Sequence, residues 1–233
     1  MRILVIPDVH LKPWMYKKAK HICTSGEYDR VIMLGDIADD WNQELNIDLY
    51  ISTFDAAIDF VKAFPDTVWC YGNHDVSYVW QRRESGYSEF ARETVVRKID
   101  QLKSELKPEN AVFIYRIDNV FFSHAGLMEV FVKRFMTTDS KDDIDTILWR
   151  INHMTDAELW NDYSPIWARP QIDNIIPFPE NMFQVVGHTP VKETLLSNNI
   201  LTVDNFSTYR DGSPIGNEKF ICIDTENWAY EEI

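Results

Sequence analysis

Cysteine is scarce in this chain: Cys23, Cys70 and Cys222 are the three among 233 residues. An odd count without a close spacing excludes a disulfide framework and a CxxC-type zinc site, and it fits a reducing compartment. Long apolar runs are missing as well. The first, Ile3 to Ile6, ends at Pro7-Asp8. It is too short for a signal peptide and has no cleavage site after it. No stretch reaches the length of a membrane span, so the expected location is the cytoplasm. Basic residues are in deficit: 23 Lys and Arg stand against 37 Asp and Glu, a formal charge of −14. That excess argues against non-specific binding to nucleic acid or to an anionic membrane. It leaves phosphate substrates open, because bound metal ions can reverse a local field. Repeats, low-complexity tracts and linkers are absent, and 45% of the residues are apolar. The expectation is one domain, residues 1–233, with a core that needs no staples.

What is present is an alternation of strands and helices. Ile3 to Ile6, Val31 to Leu34 and Thr67 to Tyr71 read as buried strands, with helices over Trp14 to Thr24 and 49–63 between them. This order implies parallel strands with helical crossovers. A longer helix is expected over 88–106, stopped by Pro108. Ala111 to Ile117 and Val120 to Ser123 read as neighbouring strands, and 127–160 as mostly helical. Four more strands are expected at Phe183 to Val186, Glu193 to Leu196, Ile200 to Val203 and Phe220 to Asp224. Asn198-Asn199 between two of them suits a tight hairpin. The reading is one α/β unit with two sheets.

Polar residues collect where these strands end: Asp8-Val9-His10, Gly35-Asp36-Ile37-Ala38-Asp39-Asp40, Gly72-Asn73-His74-Asp75, Ser123-His124-Ala125-Gly126 and Gly187-His188-Thr189-Pro190. Each alone reads as easily as a turn or a satisfied histidine. Together they place carboxylates, an amide and imidazoles at five strand ends, where ligands bind in open α/β sheets. A donor set of carboxylate, amide oxygen and imidazole without thiolate suits divalent Mn, Fe or Zn. Of the six histidines, His21 and His153 fall outside these motifs and read as helix residues.

The ordered set Asp-x-His, Gly-Asp-x-x-Asp, Gly-Asn-His-Asp, His and Gly-His resembles the calcineurin-like metallophosphoesterases. Within them, His124-Ala125-Gly126-Leu127, Gly187-His188-Thr189-Pro190 and Ser164-Pro165-Ile166-Trp167-Ala168-Arg169-Pro170 resemble the phosphoprotein phosphatase branch. That branch includes the symmetrical diadenosine tetraphosphatases. The resemblance implies a four-layer α/β/β/α sandwich with two mixed sheets. It implies two divalent metal ions, manganese first and iron or zinc as alternatives. Asp8 and His10 would bind the first, Asp36 would bridge, and Asn73, His124 and His188 would complete the second. His74 would lie beside the substrate as acid with Asp39 orienting it. Arg169, with Asn73, would hold phosphate oxygens.

Two departures stand out. Asp40 occupies a place where the branch has Arg, and Asp75 a place where it has Glu. A phosphate-binding cation is thereby lost, which leaves the task to Arg169 or to Arg82, Arg83 or Arg210. The implied chemistry is hydrolysis of a phosphoester by a hydroxide bridging two metals roughly 3.5–4 Å apart. The expected substrate is a phosphomonoester: a phosphorylated small molecule, a nucleotide or a phosphoprotein. A nucleotide or dinucleoside-polyphosphate hydrolase, or a phosphodiesterase, is the alternative enzyme. An inactive metal-binding scaffold is the alternative outside enzymes. Trp41 and Trp167 flank the motifs and either pack or stack on a ring of the substrate. Segment 127–165 is a candidate specificity wall, and loop Asn205 to Asn217 a candidate cap or plain connection.

Overall fold

A computed structural model describes residues 1–136, 143–173 and 175–233. Strands β1 (Arg2–Ile6), β2 (Arg30–Met33) and β3 (Val68–Cys70) are joined by helices α1 (Trp14–Ser25) and α2 (Ile47–Ala63). The three strands pair in parallel, with Ile3 beside Arg30 and Ile32 beside Val68. Their apolar residues bury both faces, as parallel strands under crossover helices require. In β1, Leu4 and Ile6 pack with Ala19, Phe54 and Val61 of the helices. Ile3 and Val5 face the other way, toward Phe122 and Val185.

The first sheet is completed by β4 (Ala111–Val112), β10 (Ile221–Asp224) and β11 (Tyr230–Glu232) in the order β11-β10-β1-β2-β3-β4. The second contains β5 (Ile114–Ile117), β6 (Val120–Ser123), β7 (Phe183–Val186), β8 (Leu195–Ser197) and β9 (Ile200–Thr202), ordered β5-β6-β7-β9-β8. Both mix parallel and antiparallel pairs. Helix α4 (Arg92–Glu105) joins α1 and α2 over the first sheet. Helices α5 (Glu129–Phe135), α6 (Ile144–Asn152) and α7 (Asp156–Leu159) cover the second through Phe131, Ile147, Ile151 and Leu159 against Ile114 and Phe121. The layers are therefore α/β/β/α, as expected. Among the described residues no helix is long and apolar enough to cross a membrane.

Several boundaries differ from the sequence reading, each for a local reason. The strand expected over Ala111 to Ile117 breaks at Phe113, where the chain passes from one sheet to the other. Asn152 satisfies the break: its Oδ1 accepts from Phe113 N at 2.9 Å and Ile114 N at 3.0 Å. The helix expected from 88 begins at Arg92, because Ser88 Oγ accepts from Ala91 N at 2.9 Å and caps the turn before it. The helical region 127–160 is three helices, and its residues 137–142 lie outside the described ones. Its last break falls at Thr155, whose N–H donates to Glu158 Oε2 at 2.8 Å in a capping box. The hairpin at Asn198-Asn199 is present, with φ of 49° and 61°. Strand β11 was missed because Tyr230-Glu231-Glu232 is a polar, exposed edge strand. Helix α3 (Asn73–Trp80) was missed because its start coincides with a motif read as a loop.

Candidate metal centre and active site

The strand-end motifs meet at one edge of the sandwich. Asp8 and His10 follow β1, Asp36 and Asp39 follow β2, Asn73 and His74 open α3, His124 follows β6 and His188 follows β7. The backbone is turned sharply to bring them together. His10, Asp36, Asp39 and His188 all have positive φ, at 42°, 47°, 63° and 63°. Such conformations are uncommon for side-chain-bearing residues and cluster at functional sites. They are held by bonds between loops: His10 N donates to Asp36 O at 2.8 Å and Leu11 N to Ile37 O at 3.1 Å. His188 N donates to Asp8 Oδ1 at 2.7 Å, and His74 N to Asp36 Oδ1 at 2.9 Å. Two glycines permit this approach. A Cβ on Gly72 would lie 2.0 Å from Asp36 Oδ1, and one on Gly187 2.0 Å from Asp8 Oδ2.

The donor atoms converge within hydrogen-bond distance of one another. His124 Nδ1 sits 2.8 Å from the Leu34 carbonyl, so it carries the proton and donates. In the neutral ring that a metal ligand requires, the other nitrogen, Nε2, offers a lone pair; in the protein alone, burial opposes the charged ring, but Asp36 and Asp8 hold this imidazole up at about 9. Nε2 faces Asn73 Oδ1 at 2.8 Å, His188 Nδ1 at 3.1 Å and Asp36 Oδ2 at 3.2 Å. Two of these three partners are oxygens that only accept, because Asn73 Nδ2 is committed to Glu84 Oε2 at 2.7 Å. Lone pairs crowded this closely fit a shared cation. A second group forms around Asp8, His10 and Asp36. His10 Nδ1 donates to the Asp39 carbonyl at 2.8 Å, which leaves Nε2 facing Asp36 Oδ2 at 3.8 Å. Asp36 belongs to both groups. These are the residues able to hold two metal ions, and backbone acceptors set the tautomers of two of the imidazoles.

The electrostatics of the protein alone are those of an uncompensated cluster. Burial pushes the Asp8 carboxyl well up, and Asp204 and Asp36 add to it. Burial also opposes ionisation of Asp36, but His124 and His74 overrule it and hold that carboxyl below the usual range. Burial lowers the His10 and His188 imidazoles, which keeps them neutral and able to ligate.

His74 lies beside these groups, and its imidazole Nδ1 is 2.9 Å from Asp39 Oδ2. Asp39 is buried and its other oxygen accepts from Tyr50 Oη at 2.9 Å and from Tyr78 Oη. Burial works against the charged imidazole, yet Asp36, Glu84 and Asp39 together hold His74 well above the usual histidine range. Asp75 does not reach the metal ligands' lone pairs. It ties two motif loops together, accepting from Ile37 N at 2.8 Å and Gly72 N at 3.1 Å.

A cavity of about 350 Å³ opens over the cluster and is lined by Trp41, Glu84, Trp167, Arg169 and Asp204 besides the motif residues. Arg169 is tethered through its Nη1 to the His188 carbonyl at 3.3 Å and Thr189 Oγ1 at 3.5 Å. The other candidate arginines are not among the lining residues. Arg82 pairs with Asp156 at 3.2 Å, Arg83 pairs with Glu89, and Arg210 stacks 4.8 Å above the Trp41 ring. Asp40, the departure from the branch pattern, pairs with Lys12 at 3.4 Å and accepts from Thr208 Oγ1 at 2.8 Å. It thus fastens loop 205–217, whose Ser207, Thr208 and Ile215 wall the cavity. No described residue of segment 127–165 lines the cavity. The described residues of that segment cover the second sheet instead, and residues 137–142 lie outside the described ones.

Two site residues escaped the sequence reading. Asp204 is 1% exposed and follows Val203 at the end of β9, so the strand-end rule that found the others points to it. Glu84 stands in the turn after α3 and gave no such signal.

Solved structures share this fold at low sequence identity. A protein serine/threonine phosphatase from Saccharomyces cerevisiae matches with a TM-score of 0.58 and 13% identity, covering 100% of this chain and 79% of its own. A cold-active protein-tyrosine phosphatase from a psychrophilic Shewanella species matches with a TM-score of 0.56 and 19% identity, covering 99% of this chain and 80% of its own. No curated protein sequence matches the chain. The calcineurin-like phosphoesterase profile matches residues 1–206. With that match over most of its length, the chain belongs to the calcineurin-like phosphoesterase family and is a hydrolase of phosphoesters.

Proposed function

We propose that residues 1–233 form one domain that hydrolyses phosphomonoesters with two divalent metal ions, manganese first. The observation that carries this reading is the sharing of Asp36 between two donor groups, with the hydrogen-bonded His74–Asp39 pair beside them. Asp8, His10 and Asp36 hold one ion, and Asp36, Asn73, His124 and His188 the other. When bound, the pair of ions supplies an acidified water and neutralises charge on the phosphoryl oxygens.

The remaining work falls to the side chains. Arg169 presents a planar, permanently charged fork to phosphate oxygens, its orientation set by the His188 carbonyl and Thr189. Asn73 spends an amide proton on Glu84, which leaves its Oδ1 to the cluster and one proton for the phosphate. His74 donates a proton from Nε2 to the leaving oxygen. Asp39 holds that ring by Nδ1 and favours its protonated form. The walls formed by Asp40, Thr208 and Trp41 enclose the substrate, which suits a phosphorylated small molecule better than a polymer.

Hydrolysis of p-nitrophenyl phosphate and bis-p-nitrophenyl phosphate by the manganese-loaded protein tests the reading. A clear preference for the monoester is expected. A preference for the diester would transfer the assignment to phosphodiester hydrolysis. Hydrolysis of neither, with two metals bound, would favour the scaffold.

A further inference from the structure

Glu84 occupies the substrate side of His74. Its Oε2 lies 3.7 Å from His74 Nε2, the nitrogen that Asp39 leaves free. The same oxygen accepts from Asn73 Nδ2 at 2.7 Å. The side chain is 8% exposed. Its second oxygen, Oε1, is buried without a hydrogen-bond donor from the protein. A buried carboxylate oxygen in that condition carries a desolvation cost that a donor in the cavity would relieve.

The charges around it point the same way. Among the described residues, Arg169 is the one Lys or Arg lining the cavity, whereas Asp36, Asp39, Asp40, Glu84 and Asp204 all line it. Lys12, which pairs with Asp40 at 3.4 Å, also donates to the His10 carbonyl at 3.2 Å. A leaving group that carries its own negative charge would therefore meet the carboxylates of Glu84 and Asp40 in a cavity whose one lining Lys or Arg, among the described residues, is Arg169. A leaving group with a hydroxyl or amino donor would hydrogen-bond the Glu84 carboxylate instead.

We propose that Glu84 determines specificity by accepting a hydrogen bond from an uncharged or cationic alcohol leaving group, and that it rejects anhydride substrates whose leaving group is a phosphate. This rests on the phosphoester-hydrolase reading above and narrows it. In the accepted reaction, water adds across the P–O bond. The phosphoryl group takes the water oxygen, the P–O bond to the alcohol breaks, the alcohol oxygen takes a proton from His74, and the proton released by the water restores His74. Dinucleoside polyphosphates and nucleoside diphosphates are poor substrates on this account, and monophosphates of hydroxyl- or amine-bearing alcohols are good ones.

The test compares the wild type with Glu84→Gln, which keeps size and the acceptor for Asn73 but removes the charge. AMP and ADP differ mainly in the charge of the leaving group, adenosine or AMP. At fixed free manganese, the wild type is expected to favour AMP in kcat/KM. Glu84→Gln is expected to shift the AMP-to-ADP ratio toward ADP by about tenfold, the scale of one nearby like charge, with metal content unchanged. Glu89→Gln, on the same turn but paired with Arg83 at the surface, should leave the ratio alone. Binding supplies a readout independent of turnover. By calorimetry, orthophosphate should bind both proteins alike, and imidodiphosphate should gain about tenfold in affinity only in Glu84→Gln. An unchanged ratio and unchanged imidodiphosphate affinity overturn the proposal. So does a wild-type preference for ADP. Loss of all hydrolysis with the binding selectivity intact overturns the phosphoester reading and leaves the role of Glu84 standing.

Discussion

Asp39 grips His74 through a 2.9 Å contact between Oδ2 and the imidazole Nδ1, while Tyr50 and Tyr78 occupy its other oxygen. The carboxylate is 1% exposed and cannot rotate away without taking the acceptor from two tyrosine hydroxyl protons. The pair is thus fixed in tautomer and in direction. In Asp39→Asn the ring would lose its charged acceptor and the tautomer that keeps Nε2 as the donor. Turnover of an alkyl phosphate is expected to fall by roughly 10² to 10⁴, with KM and metal content little changed. His74→Ala should show the same selectivity: a severe loss for alkyl leaving groups and a mild one for p-nitrophenol, which departs without a proton. Loss of metal in either variant would remove His74 from the role of acid.

Asp36 serves both donor groups, so its replacement should be felt at both. Asp36→Asn is expected to reduce bound manganese from two equivalents per chain to less than one. If one full equivalent were retained, the carboxylate would not be the bridge.

Gly187 provides a test that touches no donor atom. Its Cα faces Asp8, and a methyl there would stand 2.0 Å from Oδ2. Either Asp8 or the Gly187–His188 backbone must move. Gly187→Ala should therefore fold, because the position lies at the sandwich edge, yet bind its first metal at least about tenfold more weakly. Equilibrium dialysis with manganese measures this, and wild-type affinity would show that the loop tolerates the methyl.

Much of this arrangement was legible before the fold was known. Buried apolar runs followed by Asp, His or Asn mark strand ends, and strand ends in such sheets share an edge, so Asp8, Asp36, Asn73, His124 and His188 could be brought together from order alone. The uninterrupted apolar run of β1 marks a strand buried on both faces, Ile3 and Val5 on one side and Leu4 and Ile6 on the other; the four layers are what the family resemblance implies. What escaped depends on contacts distant in sequence. Glu84 meets Asn73 and His74 only because the chain after α3 turns back toward the start of that helix. The break at Phe113 depends on Asn152, from a helix that covers the second sheet. The consequence of Asp40 was equally hidden, since its partners Lys12 and Thr208 come from opposite ends of the chain. Local pattern reports which residues belong to strands and turns; it does not report which side chain completes another's hydrogen bonds.

The central claim is that two metal ions held through Asp36 carry phosphoester hydrolysis. It is tested most directly by chelating the protein and titrating manganese back while measuring p-nitrophenyl phosphate hydrolysis and bound metal together. The expected result is no activity in the chelated protein and a rise to plateau as the second equivalent binds, abolished in Asp36→Asn. Full activity after chelation, or a plateau reached at one equivalent, would contradict it.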